Sequence, residues 1–275
     1  MRTVFLTALL FLAVFAAHAS EAAAPTERSW KIDGVERKAM LYIPAKASTE
    51  TSPLLFAFHG HGGTMRYAAR KFGYQTLWPE AIVVYMQGLP TVGALTDPLG
   101  LKPGWQSAEG VGGDRDLKFF DAVLATLKRE VKVDNKRIFA TGHSNGGGFT
   151  YMLWAARGDV FAAVAPAAAM AGRSQLKLKP KPALHVAGEN DQLVKYAWQE
   201  RSMAAVRKLN GCDAAGKPWV TSGTSVGTLY PSKTGTPFIS VIYPGPHILP
   251  DEVFGLIVKF FKEPTAVTTP ASAAK

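Results

Sequence analysis

A serine lies within a five-residue motif that is typical of nucleophilic catalysis. The motif reads Gly142-His143-Ser144-Asn145-Gly146, and it stands between a short apolar run and a segment with helical character. G-x-S-x-G in that setting predicts a nucleophile elbow, a sharp turn that lifts the serine Oγ above a sheet edge. Side chains at the two glycines would collide with the neighbouring strand or helix. A structural glycine turn is the alternative, since the chain has 26 glycines.

A serine hydroxyl needs a histidine base that is oriented by a carboxylate. In the predicted fold the order along the chain is nucleophile, acid, histidine. After Ser144 the only histidines are His185 and His247. His185 lies inside an apolar strand and is interpreted as a packing residue, so His247 is the predicted base. Asp191 follows that strand in a loop and is the predicted acid, whereas Glu189 is interpreted as a solvated loop residue.

Backbone N–H groups are expected to stabilise the oxyanion of an acyl-transfer reaction. One predicted donor is the N–H of Asn145, at the N-terminus of the helix that follows the nucleophile. The second is expected from the glycine-rich turn at residues 59–63, where His61 N–H is preferred over Gly60 and Gly62. The turn lacks the Lys-Ser/Thr pair of a phosphate-binding loop, which makes that interpretation a poor one.

Short apolar strands alternate with helical patterns along residues 30–263. Asp33-Gly34 predicts a hairpin turn, and a continuous apolar run at 53–58 predicts a strand buried on both faces. The other predicted strands are 81–85, 138–140, 161–164, 182–186 and 237–243, and the predicted helices are 65–78, 117–131, 149–156, 194–209 and 253–261. This alternation predicts one α/β domain with a mostly parallel sheet and helices on both faces. Active residues are expected at the carboxyl ends of its strands.

Residues 87–113 are rich in glycine and proline and have no regular period. A long irregular segment inside a compact domain is usually functional or disordered. Because it follows a predicted strand, we expect it to lie across the catalytic face with Trp105 as its contact residue. A plain surface loop is the alternative.

The N-terminal residues have the pattern of a secretory signal peptide. Arg2 precedes an apolar run at 4–16, and Ala17-His18-Ala19 fits a cleavage site. We therefore predict a signal peptide at 1–19, a flexible leader at 20–29, a catalytic domain at 30–263 and a disordered tail at 264–275. The predicted location is extracellular or periplasmic, without stable membrane insertion; a retained anchor is the alternative.

Charge and composition limit the kinds of partner and cofactor that we expect for this chain. The formal net charge is +10, but the basic residues are scattered without aromatic interleaving, so no nucleic-acid partner is expected. The lone Cys212 cannot form an internal disulfide. No metal-ligand spacing is present, so neither a metal nor another cofactor is predicted.

The turn at 59–63, the motif at 142–147, the hairpin at 30–44 and the segment at 188–194 together resemble secreted α/β-hydrolases of the polyhydroxybutyrate-depolymerase-like esterase family, which includes feruloyl and acetylxylan esterases. The resemblance covers nearly the whole mature chain. It implies hydrolysis of hydroxyalkanoate oligomers or polymers, or of feruloyl or acetyl esters on polysaccharides. It also implies that Trp105 and Trp198 could bind the acyl group or sugar. An acyltransferase on the same residues and a catalytically silent binding protein are the alternatives.

Overall fold

Apolar runs along the chain form the strands of one central sheet in the computed structural model, which describes residues 24–263. The strands of this sheet are β1 Thr26–Ile32, β2 Val35–Tyr42, β3 Ser52–Phe58, β4 Ile82–Met86, β7 Val133–His143, β8 Ala163–Ala167, β9 Ala183–Gly188, β10 Lys217–Ser222, β11 Ser225–Tyr230 and β12 Phe238–Tyr243. Two short strands, β5 Leu89–Pro90 and β6 Pro103–Gly104, pair with each other in a separate two-stranded sheet. The helices are α1 Met65–Phe72, α2 Tyr74–Leu77, α3 Arg115–Glu130, α4 Asn145–Arg157, α5 Tyr196–Leu209 and α6 Glu252–Lys262.

The sheet runs in the order β1-β2-β4-β3-β7-β8-β9-β12-β11-β10. Its centre, from β4 to β12, is parallel throughout, and the strands at each edge are antiparallel. The predicted α/β fold with a mostly parallel sheet is therefore confirmed. Because parallel strands share their carboxyl ends, the loops after β3, β7, β9 and β12 meet at one edge.

Alternating side chains of β3 show how the sheet is covered on both faces. Leu54, Phe56 and Phe58 belong to one core cluster, which includes the buried faces of α3 and α4. Leu55 and Ala57 belong to a second cluster, formed with α1, α2 and α6. A strand buried on both faces has a continuous apolar sequence, which is why β3 could be predicted from residues 53–58.

Three elements differ from the sequence-based expectations. Residues 26–29 of the predicted leader pair with β2, and Thr26 lies opposite Leu41. The predicted helix 65–78 is interrupted by Gly73, whose φ of 57° separates α1 from α2. Strands β10 and β11 form an antiparallel hairpin beyond β12 that the sequence pattern did not reveal, because its residues are mostly half-exposed.

Two further expectations lie outside the described residues: the signal peptide at 1–19 and the tail at 264–275. Within residues 24–263, no helix combines the length and the apolar character that crossing a bilayer requires.

A buried ion pair joins β2 to α3. Arg37 Nη2 lies 2.7 Å from Asp116 Oδ1, and both side chains are almost fully buried. Arg37 also donates to the carbonyl oxygens of Gln87 and Arg115, and Asp116 Oδ2 accepts from the N–H of Gln106. The pair therefore holds both ends of the irregular segment at 87–113.

Replacing Asp116 with asparagine is expected to lower the free energy of unfolding by about 3–5 kcal/mol, because it leaves the Arg37 charge buried without its counter-charge. Asp33→Asn removes the exposed pair with Lys118 and is the matched control, with an expected loss under about 1 kcal/mol. Urea unfolding at pH 7 measures both. Equal effects would show that the buried pair contributes no more than a surface pair.

Candidate active site

The serine of the sequence motif lies on a strained turn between β7 and α4. Ser144 has φ 56° and ψ −120°, a region that costs a non-glycine residue on the order of 1–3 kcal/mol. Its N–H donates to the carbonyl oxygen of Ala167 at 2.8 Å, which ties the turn to the end of β8. The strain and its restraint fit an elbow that presents a side chain above the sheet edge.

The glycines of the turn allow backbone to touch backbone. A Cβ on Gly142 would lie 2.4 Å from the Gly146 carbonyl oxygen, and one on Gly146 would lie 2.3 Å from the Phe58 carbonyl oxygen. A Cβ on Gly147 would lie 2.7 Å from the Ala167 carbonyl oxygen. Side chains at these positions would push the turn away from β3 and β8.

Loops after three strands bring the predicted nucleophile, base and acid together. His247 Nε2 lies 2.7 Å from Ser144 Oγ, and His247 Nδ1 lies 2.7 Å from Asp191 Oδ2. Asp191 is buried, and its Oδ1 accepts from the N–H groups of Leu193 and Val194, each at 2.9 Å. The arrangement can pass a proton from the serine hydroxyl to the histidine while the carboxylate fixes the ring.

Two contacts hold the loop that carries His247. His143 Nε2 donates to the His247 carbonyl oxygen at 2.8 Å. Burial, together with the neighbouring His247, lowers the pKa of His143 to about 4, so its ring is neutral at pH 7. A Cβ on Gly188 would lie 2.5 Å from the Gly245 carbonyl oxygen, so the loop lies directly on the end of β9. The sequence reasoning missed this role of His143, although the residue directly precedes the predicted nucleophile.

The glycine-rich turn at 59–63 is fixed by a neutral histidine. Burial lowers the pKa of His59 to about 4. Its Nδ1–H donates to the Gly60 carbonyl oxygen at 2.7 Å, and its Nε2 accepts from the N–H of Gly88 at 3.0 Å. The turn follows β3 and faces the serine, since a Cβ on Gly60 would lie 3.4 Å from that of Ser144.

Of the three sequence candidates for the second oxyanion donor, Gly62 is already engaged, because its N–H donates to the Pro103 carbonyl oxygen at 2.7 Å. The ring of His61 lies beside Asp97, with its Nε2 at 3.1 Å from Asp97 Oδ2. A Cβ on Gly104 would lie 2.5 Å from His61 Nδ1, so the irregular segment packs closely on this ring. The backbone N–H groups of His61 and Gly60 therefore remain as candidates for the predicted role, and His61 stays the preferred one.

The predicted substrate contact of Trp105 is wrong, because this side chain is fully buried. Its Nε1 donates to the His59 carbonyl oxygen, its backbone N–H donates to Asn145 Oδ1, and its ring stacks on Phe149 at 5.0 Å. Trp105 therefore links the turn at 59–63 to the elbow. Trp198 is half-buried on α5, and it does not line the cavity beside Ser144.

A cavity of about 500 Å³ opens beside Ser144 and His247. Most of its wall is apolar, and Thr96 is the contribution of the irregular segment. The apolar residues are Tyr67, Phe72, Leu193, Ile248, Leu249 and Phe254. Within residues 24–263 no group of three or more His, Cys, Asp or Glu side chains is arranged to hold a metal ion.

Comparison with known proteins shows that the chain is similar to ester hydrolases of this fold. The model of the prolyl oligopeptidase family matches residues 106–174. Feruloyl esterase C of Emericella nidulans is 29% identical over 70% of this chain and 69% of its own length. The bifunctional acetylxylan esterase/xylanase XynS20E of Neocallimastix patriciarum is 29% identical over 65% of this chain, which spans only 25% of that larger protein. The acetyl xylan esterase structure from Aspergillus awamori matches with a TM-score of 0.65 at 14% identity. The match covers 86% of this chain and 98% of the esterase chain. The chain thus has the α/β-hydrolase fold and is similar to feruloyl and acetylxylan esterases.

Adding one methyl group at Gly146 tests the packing of the elbow. Gly146→Ala is expected to destabilise the protein by about 3 kcal/mol or more, because the new Cβ overlaps the carbonyl of Phe58. Gly148→Ala, on the same helix but with open space around its Cβ, is expected to stabilise it by about 0.5–1 kcal/mol. Thermal and urea unfolding measure both. Similar effects of the two variants would contradict the close packing.

Stability is expected to fall as the pH falls from about 6.5 to 4.5. Burial lowers the pKa of His59, His143 and His185 to about 4, whereas these groups titrate near 6.5 when unfolded. The unfolded chain therefore binds up to three more protons in this window, each worth about 1.4 kcal/mol per pH unit. Carboxyl groups with a lowered pKa add to the loss only below about pH 5.

Urea unfolding across pH 4.5–8 measures this dependence. His59→Gln is the control, and it is expected to reduce the slope by about one proton. A flat profile between pH 6.5 and 4.5 would contradict the assignment of neutral buried histidines.

Proposed function

We propose that this protein is an exported serine esterase, which hydrolyses carboxylic esters through an acyl-enzyme formed on Ser144. The observation that carries the proposal is the pair of 2.7 Å contacts that link Ser144 Oγ to His247 and His247 to Asp191. The relationship to feruloyl and acetylxylan esterases supports an ester as the substrate.

In the proposed reaction Ser144 Oγ attacks the ester carbonyl carbon, and His247 Nε2 takes the hydroxyl proton. Asp191 holds the imidazolium in place and stabilises its charge. The N–H groups of Asn145 and His61 donate to the oxyanion, and the helix N-terminus at Asn145 adds partial positive charge. His247 then gives its proton to the leaving alcohol. Water, activated by the same base, releases the acid and restores the serine.

The cavity supports an acyl group with substantial apolar surface. Phe72, Leu249 and Phe254 line it and are buried, so an acyl chain or ring that enters would replace water against them. Feruloyl and acetyl esters on polysaccharides are the favoured substrates, because the relatives are named for them. A hydroxyalkanoate ester is the other candidate class, and the cavity volume of about 500 Å³ accommodates each of these acyl groups.

A substrate panel tests the proposal. It contains p-nitrophenyl acetate and butyrate, methyl ferulate, acetylated xylan and a 3-hydroxybutyrate oligomer. We expect hydrolysis of at least one of these esters, with kcat lowered by on the order of 10⁴-fold or more in Ser144→Ala. Ser107→Ala, which changes an exposed serine, is the matched control and is expected to retain full activity.

The outcomes separate the alternatives. Hydrolysis that persists in Ser144→Ala would remove this residue from the mechanism. Transfer to an added alcohol in preference to water would show an acyltransferase. No turnover of any member, with the wild-type protein folded, would leave a binding protein on this fold.

A further inference from the structure

The acid of the active site has a second side-chain partner besides His247. Gln199, fully buried on α5, donates from Nε2 to Asp191 Oδ2 at 3.0 Å. The same nitrogen donates to the Val194 carbonyl oxygen at 2.7 Å. Since both of these acceptors need an N–H, the orientation of the carboxamide is fixed: its nitrogen faces Asp191 and its oxygen faces the opposite way.

Behind Gln199 the hydrogen bonds continue into the protein interior. Gln199 Oε1 lies 3.2 Å from His185 Nε2, and His185 Nδ1 lies 2.8 Å from the hydroxyl of Tyr151. Because the carboxamide oxygen can only accept, His185 Nε2 carries the proton. His185 Nδ1 is therefore an acceptor, and the Tyr151 hydroxyl donates to it. One arrangement of protons satisfies every contact of this chain.

These three side chains belong to three different elements of the fold. Tyr151 lies on α4, His185 on β9 and Gln199 on α5, and each is at most 1% exposed. A buried polar group without a partner costs about 1–3 kcal/mol, and apolar side chains of similar size would avoid that risk. A satisfied polar network in such a place fixes a unique arrangement of the groups that it contacts.

We propose that Gln199, His185 and Tyr151 are positioning residues, which hold the Asp191 carboxylate in the orientation that His247 requires. The proposal rests on the proposed function, because it assigns a role behind the same acid. Asp191 Oδ1 is held by two backbone N–H groups, and Oδ2 is shared between His247 and Gln199. Among residues 24–263, Gln199 is the one side chain besides His247 that bonds to Oδ2, so its loss would free this oxygen to turn away from the imidazole.

The positions of the protons in this network do not change near neutral pH. Burial lowers the pKa of His185 to about 4, and burial also raises the pKa of Tyr151 far above its ordinary value. Neither group changes its charge near pH 7. The network can therefore act as a fixed scaffold of hydrogen bonds rather than as a proton store, which is the behaviour a positioning role needs.

Kinetics of single and double variants test the proposal. Gln199→Leu is expected to lower kcat by about 10- to 100-fold with KM within about twofold, because the misaligned carboxylate affects the transition state more than substrate binding. Tyr151→Phe removes only the last hydroxyl and is expected to lower kcat by about threefold or more. In the double variant the effect of Tyr151→Phe should vanish, since Tyr151 acts only through Gln199.

Tyr85→Phe is the matched control. Tyr85 is equally buried, and its hydroxyl bonds to Gln75 and to the N–H of Tyr74, neither of which is hydrogen-bonded to Ser144, His247 or Asp191. It should lose stability comparable to that lost by Tyr151→Phe, with kcat unchanged. Equal loss of kcat in both tyrosine variants, or additive effects in the double variant, would reduce the network to a structural role and overturn the proposal.

A readout without turnover keeps the proposal separate from the esterase assignment. The proton on His247 Nδ1, next to Asp191, is recorded by downfield ¹H NMR and assigned by its loss in His247→Gln. Its resonance should shift in Gln199→Leu and Tyr151→Phe but stay in place in Tyr85→Phe. An unchanged resonance in the first two would overturn the positioning role even if no ester is hydrolysed. If Gln199→Leu does not fold, the milder Tyr151→Phe decides.

Discussion

Close contact of backbone with backbone at the serine turn is the constraint on which the rest of the site depends. Gly146 lies against the carbonyl of Phe58 at the end of β3, and Gly147 lies against the carbonyl of Ala167 at the end of β8. Ser144 can keep its positive φ only because these neighbours hold it there. The Ser144 hydroxyl group therefore lies close to the loops that follow β3, β9 and β12.

Neutral histidines give this corner of the molecule a fixed set of donors and acceptors. His59 holds the glycine-rich turn, His143 holds the loop of His247, and His185 bonds to Gln199 behind Asp191. Each is buried with a pKa lowered to about 4, so all three are uncharged near neutral pH. The same burial makes the fold less stable in acid. Order at the site and sensitivity to low pH therefore have one physical origin.

The sequence predicted the parts of this site that local patterns encode. Ser144 stands in a motif whose glycines have a steric reason, and Asp191 and His247 follow in the order that the fold requires.

The sequence did not reveal that Trp105 is buried, because a glycine- and proline-rich segment carries no periodicity from which burial could be inferred. Its contacts to His59 and Asn145 are formed across long stretches of chain. Gln199 lies within an ordinary helical pattern, so nothing local marked it. The hairpin of β10 and β11 was missed because half-exposed edge strands lack a continuous apolar run.

Part of the cavity wall belongs to elements other than those of the catalytic frame, which carries Ser144, Asp191 and His247. Tyr67 and Phe72 lie on α1 and Phe254 on α6, and an ion pair between Lys71 and Asp251 joins α1 to the start of α6. The frame, by contrast, is built from strand ends and glycine contacts that tolerate no added atom. We therefore expect substitutions of these α1 and α6 side chains to change which acyl group the proposed esterase accepts without moving Ser144 or His247.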